Sequence, residues 1–542
     1  MFDRRHRDQT LAALGEPFDL VVVGGGINGC GILYAASLRG LRALLVERDD
    51  LAAGTSSRSS KLVHGGLRYL RQLQLRTTRL SCRERDRHLR LDPDLVESLP
   101  FLYPARKSDR VKGWQVGLGL TLYDAMTAGA RHRRLAPEEI AALAPDLDLG
   151  GLDRALAYHD ARVDDARLTF AVAASAAAAG GRLLTRAEVV EGLGGSDGTL
   201  RRLRVRDLES GAVHEVAGAV LVNAAGVAVD EIRHRCGLAG RRLRPSRGSH
   251  LLLAAGRLPL ASAVSFPAAD GRPVFLVPHP EGVLVGTTDV FHDGALDDPR
   301  PSHDELDYLF TAVVTRFPAA RLTWADVTGT FAGLRPILDH GARTPSEASR
   351  DEGIWEENGL LSVAGGKLTT WRVTAEEAVA AAVARLPAER AAVAGPPASE
   401  GAPLVGRAPC DLATRLLASA GSSLRLSREV ATAMARRLRA LAPLALDLAR
   451  NASELAPLDD GSDLCAAEAR VHLRHGLVVR LEDLLLRRTR IGTWTPRQAT
   501  ALAPRLAAVA CDEMGWTAAD FDRELERCER ALAGWRPEGA LG

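Results

Sequence analysis

The feature that most constrains the fold is a glycine-rich turn between a strand and a helix. Phe18–Val23 is a run of strand-type residues that ends in Gly24-Gly25-Gly26. A helical pattern follows from Asn28 to Arg39, and Gly40 can end that helix. Leu41–Glu47 then has the composition of a second buried strand. This order of elements predicts the opening of a parallel α/β sheet.

The spacing Gly24-x-Gly26-x-x-Gly29 predicts that the turn holds a dinucleotide. One glycine makes the turn, one admits the pyrophosphate to the backbone, and one lets the helix pack on the strand. The helix N-terminus, where Asn28 lies, then faces the anionic pyrophosphate. Such sites use an acidic residue about 20 residues further on to bond the ribose hydroxyls, and Glu47 lies at the end of the second strand.

The stretch TSSRSSKLVHGGLRYL, from Thr55 to Leu70, favours a flavin over a nicotinamide cofactor. The glycine turn does not distinguish the two, but a flavin dinucleotide is long and needs a second cradle of hydroxyls and backbone amides. The residues of this stretch predicted to bind the cofactor are Thr55, Ser56, Ser59, Ser60, Lys61 and Gly65.

Lysine is rare in this chain and therefore informative. Lys and Arg total 70, but lysine occurs only at Lys61, Lys107, Lys112 and Lys367. An ammonium is compact, whereas a guanidinium is broad and flat. We hypothesise that Lys61 is kept because its ammonium fits where a guanidinium would crowd the cofactor.

Composition narrows the classes of protein that need to be considered. A length of 542 residues predicts two or three domains. The formal net charge of +2 gives no reason to expect a nucleic-acid partner. Seven scattered cysteines without a C-x-x-C argue against a disulfide framework or a structural zinc site, so no metal is expected. No apolar run reaches the ~18 residues of a membrane-spanning helix. We therefore expect a cytoplasmic protein that meets any membrane from its surface.

Several separated stretches together resemble one family, the FAD-dependent sn-glycerol-3-phosphate dehydrogenases of respiration. The resemblance covers most of the chain, and it depends on the order and spacing of the motifs. The motifs are VVVGGGINGCGI (Val21–Ile32), TSSRSSKLVHGGLRYL (Thr55–Leu70), LYDAM (Leu122–Met126), VDDARL (Val163–Leu168), RGSHLLL (Arg247–Leu253), VGTTD (Val285–Asp289), GLRPI (Gly333–Ile337), GGKLTTWR (Gly365–Arg372) and LEDLLLRRTRIGTW (Leu481–Trp494).

The resemblance implies a reaction and an architecture. The enzyme would oxidise sn-glycerol 3-phosphate to dihydroxyacetone phosphate, with FAD as hydride acceptor and a membrane quinone as the final acceptor. The fold would be α/β: an FAD-binding Rossmann-like domain interleaved with a mixed-sheet substrate domain, then an all-α C-terminal domain. The expected FAD-binding parts are about 17–95, 160–245 and 330–390, the substrate parts are about 96–159 and 246–329, and the helical domain is 400–542.

The resemblance also implies roles for single residues. Arg68 and Tyr69 follow the Gly65-Gly66 turn and would contact substrate, as would His250. A shared role of His64, Arg335 and Lys367 around the C2 oxygen is our hypothesis, and the general base stays open between His64 and His250. The remaining residues implied to bind FAD are Gly226, Gly366, Leu368 and Thr369. The chain departs from the family pattern at Val227-Ala228 and at His279.

The electron acceptor, the membrane contact and the oligomeric state each leave alternatives open. The range 106–134 is cationic around an apolar middle and could anchor to a membrane surface, although an ordinary solvated loop and helix would have the same composition. An oxidase that uses oxygen, another FAD-dependent amine or hydroxy-compound oxidoreductase, and a non-catalytic flavin-binding regulator remain alternatives. A homodimer stays open, because the sequence does not give the oligomeric state.

Overall fold

Two β-sheets and a helical C-terminal region make up the fold. The computed structural model describes Phe2 and residues 4–67, 70, 74–341, 344, 352–421 and 426–537. Within this part of the chain, one sheet has eight strands and the other has ten. The predicted α/β architecture with an all-α C-terminal region is confirmed.

The first sheet has a parallel core built around Phe18–Val23, whose residues are all buried. Strands that are covered on both faces consist of continuous apolar runs, which is the pattern of this segment. Phe18–Val23 lies between Ala43–Val46 and Val213–Asn223, and both pairs are parallel. The other strands of this sheet are Arg182–Leu184, Ala187–Gly194, Leu200–Asp207, Gly353–Glu357 and Leu360–Ala364.

Helices cover the first sheet. The helix Ile27–Leu38 begins at the glycine turn and packs against Asp165–Ala178 and Trp371–Val383. The Asp164 carboxylate caps Asp165–Ala178 by accepting a hydrogen bond from the Arg167 amide at 3.0 Å. The helix predicted from Asn28 is therefore present, beginning one residue earlier at Ile27.

The second sheet is mixed and mostly antiparallel. Its strand Val327–Arg335 pairs along Ser246–Ala254, so this sheet takes residues from both sides of the boundary expected near 330. The one parallel pair among its described strands is Ala263–Pro267 with Val96–Arg106. The other strands are Leu62–Val63, Arg133–Arg134, Leu152–Val163, Pro273–His279, Gly282–Gly286 and Val290–Phe291.

The C-terminal region packs against the second sheet. Trp494 and Trp535 share one apolar core with Phe331 and Leu252 of that sheet. The helices of this region are Leu412–Ala420, Arg428–Leu438, Pro443–Leu448, Ala466–His475, the π-helical turn Asp483–Arg488, Ile491–Trp494, Pro496–Leu502, Ala507–Met514 and Ala518–Ala533. Elsewhere the remaining α-helices are Arg4–Ala12, Leu75–Leu91, Gly113–Asp124, Pro137–Leu143, Val229–Arg235, His303–Arg316 and Ala388–Val393.

The segment 387–409, between the expected FAD-binding and helical parts, is held in place by specific contacts. It contains the helix Ala388–Val393. The Arg87 guanidinium donates hydrogen bonds to the carbonyls of Ser399, Glu400 and Ala402 at 2.6 to 2.8 Å. The exact domain bounds stay a prediction.

Among the described residues we find no helix whose length and apolar character would let it cross a membrane.

Candidate active site

A cavity of about 750 Å³ opens where the parallel strands of the first sheet end. This is the edge of an α/β sheet at which ligands bind. The predicted residues that line it are Gly24, Gly26, Asn28, Glu47, Thr55, Ser56, Ser59, Gly226, Gly366, Lys367 and Leu368. The predicted residues that are not among its described lining are Gly29, Ser60, Lys61, His64, Gly65, His250, Arg335 and Thr369.

The glycine turn is packed so closely that larger residues do not fit. Gly24 has a φ of +112°, and a Cβ there would lie 2.6 Å from the Ala224 carbonyl oxygen. A Cβ on Gly29 would lie 1.9 Å from the carbonyl oxygen of Gly24. Gly29 therefore brings the helix against the strand, and the chain has the bare backbone cradle that a pyrophosphate needs.

Glu47 lies in the cavity wall at the end of the second strand. Its Oε1 accepts a hydrogen bond from the Asp49 amide at 2.7 Å, and its Oε2 accepts one from the Gly25 amide at 2.5 Å. Burial raises the pKa of this carboxyl above its ordinary value. The predicted acid is therefore joined directly to the glycine turn.

The hydroxyls of the loop Thr55–Ser59 form hydrogen bonds to neighbouring segments of the cavity wall. Ser56 Oγ accepts a hydrogen bond from the Ile27 amide at 2.9 Å, at the start of the cradle helix. Thr55 Oγ1 donates to the carbonyl of Leu334 at 2.6 Å, so the loop also meets the second sheet. Ser59 donates through its amide and its hydroxyl to Asp165 Oδ2 at 2.9 and 2.7 Å.

The position of Lys61 differs from the hypothesis drawn from the sequence. Its Nζ donates to Asp165 Oδ1 at 2.8 Å and to the Ser57 carbonyl at 3.2 Å, and it lies 5.4 Å from the Phe331 ring centre. The residue is 1% exposed. A buried ammonium needs a carboxylate partner, and Asp165 rather than the cofactor cavity supplies it. The structure therefore explains the lysine by its pairing with Asp165, and the cofactor contact of Lys61 stays a prediction.

Arg335 is held at the end of its strand by polar contacts with Ser246, Thr287, Thr288 and Asp289. Its Nη1 lies 3.1 Å from Asp289 Oδ1, and its Nη2 donates to Thr287 Oγ1 at 3.1 Å. A Cβ at Gly248, on the neighbouring strand, would lie 2.2 Å from Arg335 Nη2. The side chain is 22% exposed, and the next residue, Pro336, lines the cavity.

His250 is a buried, neutral ring. It stacks on Phe331 at 4.6 Å between ring centres, and its Nε2 lies 2.9 Å from Ser60 Oγ. Burial lowers the pKa of His250 well below its ordinary value, and the nearby cations Arg335 and Lys61 lower it further. This histidine can exchange a hydrogen bond with Ser60 but does not offer a positive charge to an anion.

Two glycine segments bring the remaining candidates together. Gly365 and Gly366 both have a φ of +78°, and they place Lys367 in the cavity wall. The His64 amide donates to Thr369 Oγ1 at 3.2 Å, which links the histidine loop to the Lys367 turn. A Cβ on Gly65 would lie 2.3 Å from Tyr123 Oη, so Gly65 lets the backbone pass close to Tyr123, and its cofactor contact stays a prediction. Arg68 and Tyr69 lie outside the described residues.

The C-terminal region contributes to this cavity, which was not predicted from the sequence. Glu482, Leu486, Arg487 and Trp535 belong to its lining. The motif LEDLLLRRTRIGTW was the available signal, although its residues alone assign it no role. One departure from the family pattern is also explained, because His279 packs against Trp494 at 5.0 Å between ring centres.

The parallel sheet, the glycine cradle, the terminal acid and the second hydroxyl loop define a dinucleotide-dependent oxidoreductase. Residues 19–381 match the family described as FAD dependent oxidoreductase, and residues 398–521 match the C-terminal domain of alpha-glycerophosphate oxidase. The chain belongs to the family of FAD-dependent glycerol-3-phosphate dehydrogenases.

Individual relatives carry this assignment. A glycerol-3-phosphate dehydrogenase of Mycobacterium leprae is 36% identical over 521 residues, which are 94% of this chain and 87% of the relative. An aerobic glycerol-3-phosphate dehydrogenase of Staphylococcus haemolyticus is 37% identical over 380 residues, 69% of this chain and 68% of the relative. The solved Bacillus halodurans glycerol-3-phosphate dehydrogenase, complexed with FAD, has a TM-score of 0.78 and 27% identity, covering 99% of this chain and 98% of that one.

Proposed function

We propose that the enzyme oxidises sn-glycerol 3-phosphate to dihydroxyacetone phosphate and passes the electrons to a membrane quinone. The observation that carries the proposal is that two elements bearing the candidate cations border the same cavity. Pro336, next to Arg335, and the turn Gly366–Leu368, which contains Lys367, line the same space. Similarity to relatives named glycerol-3-phosphate dehydrogenase supports this substrate.

Arg335 and Lys367 can stabilise the oxygen of an alcohol that loses its proton while the carbon is oxidised. Bound FAD supplies the acceptor for the hydride from C2. Arg335, fixed by Asp289 and Thr287, and Lys367 stabilise negative charge on the C2 oxygen. His64 takes the proton of the C2 hydroxyl. In this proposal Arg68 and Tyr69 bind the phosphate, since a phosphate dianion is best held by a guanidinium fork.

His250 has a supporting role in this proposal. Its ring is neutral and lies behind Ser60, which precedes the buried Lys61. It orients the Ser60 hydroxyl, and the proton transfer falls to His64. We therefore assign the proton transfer to His64 as part of this proposal.

A surface helix supports a membrane-bound acceptor. Trp114, Leu118 and Leu122 are 57, 66 and 43% exposed on the helix Gly113–Asp124. Their spacing of four residues puts them on one face of the helix. Lys107 and Arg110, both exposed, precede this apolar face. An amphipathic surface with cations at its border fits the headgroup region of an anionic bilayer, where the quinone would be reached.

Oxygen as the acceptor is the second candidate. The match of residues 398–521 to the C-terminal domain of alpha-glycerophosphate oxidase favours it. The two candidates share the reduction of the flavin and differ in the step that reoxidises it.

The test has two stages on the purified holoenzyme. Without oxygen, sn-glycerol 3-phosphate should bleach the flavin absorbance, whereas glycerol, glycine and proline should not. The reduced enzyme is then mixed with either oxygen or a quinone in vesicles. Faster reoxidation by quinone without peroxide supports the proposal, and rapid peroxide formation supports the oxidase. A flavin that no candidate substrate bleaches would indicate a non-catalytic flavin-binding protein.

A further inference from the structure

The segment Asp483–Arg490 of the C-terminal region contacts two of the loops that border the cavity, the one after the second strand and the one at Thr55–Ser59. It is a π-helical turn followed by Arg490, whose φ is +67°. Glu482, Leu486 and Arg487 line the cavity itself. Arg487, Arg488 and Arg490 of this segment pair with two buried carboxylates from the N-terminal part of the chain, Asp50 and Asp165.

The first carboxylate, Asp50, follows Glu47 by three residues and is 1% exposed. Arg488 donates hydrogen bonds to both carboxylate oxygens of Asp50, from Nη1 to Oδ2 at 2.9 Å and from Nη2 to Oδ1 at 2.7 Å. Arg487 Nε donates to the same Oδ2 at 2.5 Å. Burial alone would raise the pKa of Asp50, but Arg488 and Arg487 lower it to about 2. The loop after the second strand therefore carries a buried charge that the C-terminal region neutralises.

The second carboxylate, Asp165, fixes the hydroxyl loop. Arg490 Nη2 lies 3.1 Å from Asp165 Oδ1 and donates to the Ser57 carbonyl, also at 3.1 Å. Asp165 in turn accepts both hydrogen bonds from Ser59, a residue of the cavity wall. Arg490 thus fixes the position of this loop in two ways. It bonds the Ser57 carbonyl directly, and it pairs with Asp165, which bonds Ser59.

We infer that Arg488 and Arg490 are positioning residues of the FAD site, and that docking of the C-terminal region and binding of FAD stabilise each other. The inference rests on the cavity being the FAD site and does not depend on the substrate or the electron acceptor. The loops that contact FAD are the loops that the arginines hold. The coupling is reciprocal: the factor by which docking of the C-terminal region raises the affinity for FAD is also the factor by which bound FAD favours docking.

The first test compares FAD release from holoenzyme variants. Arg490→Gln removes the contact, Arg490→Lys keeps a cation, and Arg470→Gln is the matched control. Arg470 is buried like Arg490, each side chain being 2% exposed, but it pairs with Glu454, Asp512 and Glu513 inside the C-terminal region. Release is followed by the rise of flavin fluorescence on dilution.

We expect Arg490→Gln to release FAD about tenfold faster or more, which lies within the usual range of coupling between sites. Arg490→Lys should fall between it and wild type, and Arg470→Gln should stay within about twofold of wild type. Equal release from Arg490→Gln and Arg470→Gln would overturn the inference. Unchanged release from Gly29→Ala would instead show that the cavity is not the FAD site.

The second test needs no variant, so it can test the coupling between FAD binding and docking even if Arg490→Gln does not fold. Hydrogen exchange is compared between wild-type holoenzyme and wild-type protein depleted of FAD. FAD should slow exchange in residues 55–61 and 482–494 together, with the helix Arg428–Leu438 as an unchanged reference. Slowing confined to residues 55–61 would contradict the coupling.

Discussion

The Lys61 ammonium donates a hydrogen bond to Asp165 Oδ1 at 2.8 Å, and the two side chains are 2% and 0% exposed. Phe331 and Arg490 occupy the space around this pair. The presence of lysine rather than arginine at position 61 is thus explained by the fixed size and charge of its buried surroundings in the protein, and this explanation needs no contact with the cofactor.

Lys61→Arg should lower the free energy of unfolding by about 1–3 kcal/mol, because the broader guanidinium overfills this space beside Arg490. Urea unfolding of the holoenzyme measures the change. Lys107→Arg makes the same substitution on an exposed side chain and should have almost no effect. Equal stability of the two variants would refute the explanation.

Gly29→Ala should reduce FAD affinity about tenfold or more. Its Cβ would lie 1.9 Å from a backbone oxygen, so the helix must move off the turn that holds the pyrophosphate. The ratio of flavin to protein after purification, and the affinity from flavin fluorescence, measure this loss. The control is Gly15→Ala, where no described atom lies within 4 Å of the new Cβ.

Arg335→Gln should slow anaerobic flavin reduction by sn-glycerol 3-phosphate about 100-fold or more, and the bound FAD should remain. In the proposed mechanism the substitution removes the charge that stabilises the C2 oxygen, and it leaves a side chain able to bond Thr287. Arg257→Gln, on a surface arginine in the turn after the strand Ser246–Ala254 and paired with Asp326, should leave the rate as it is. A fast Arg335→Gln enzyme would remove Arg335 from the catalytic residues.

The buried His250 makes stability depend on pH. Burial, then Arg335 and Lys61, hold its pKa well below 6.5, whereas the unfolded chain binds the proton near 6.5. Below that pH the unfolded state binds more protons, so the free energy of unfolding falls as pH falls. His250 contributes up to about 1.4 kcal/mol per pH unit to this loss.

Unfolding of His250→Gln between pH 7 and pH 5.5 measures this contribution. The variant should lose less stability over this interval than wild type, and His303→Gln, on an exposed histidine, serves as the control. A variant whose stability falls as steeply as that of wild type would mean that His250 is protonated in the folded protein.

Leu118→Glu should weaken binding to anionic vesicles about tenfold, because it puts a negative charge on the exposed apolar face next to Trp114 and Leu122. Cosedimentation with vesicles measures binding. Val393→Glu changes an equally exposed apolar residue elsewhere, 61% against 66% exposed, and should bind as wild type does. Identical loss in both variants would place the membrane contact elsewhere.

Local patterns predicted the cradle well because all of its signals lie within one short stretch. The glycine turn, the buried strand Phe18–Val23 and the following helix each follow from neighbouring residues. The structure places that helix at Ile27–Leu38, close to the predicted bounds.

The charged clusters could not be predicted in the same way. Arg490 is 325 residues from Asp165, and Arg488 is 438 residues from Asp50. In a chain with 70 Lys and Arg residues, a buried arginine has the same local sequence signal as an exposed one. Asp165, next to the capping residue Asp164, would be taken for part of a helix start, although it turns inward to Lys61.

The most direct test of the account is anaerobic stopped-flow reduction of the flavin by sn-glycerol 3-phosphate that carries hydrogen or deuterium at C2. Because the account has the hydride leave C2, deuterium at C2 should slow the bleaching several-fold, and deuterium at C1 or C3 should leave its rate unchanged. Bleaching at equal rates with hydrogen and deuterium at C2, or no bleaching at all, would contradict the account.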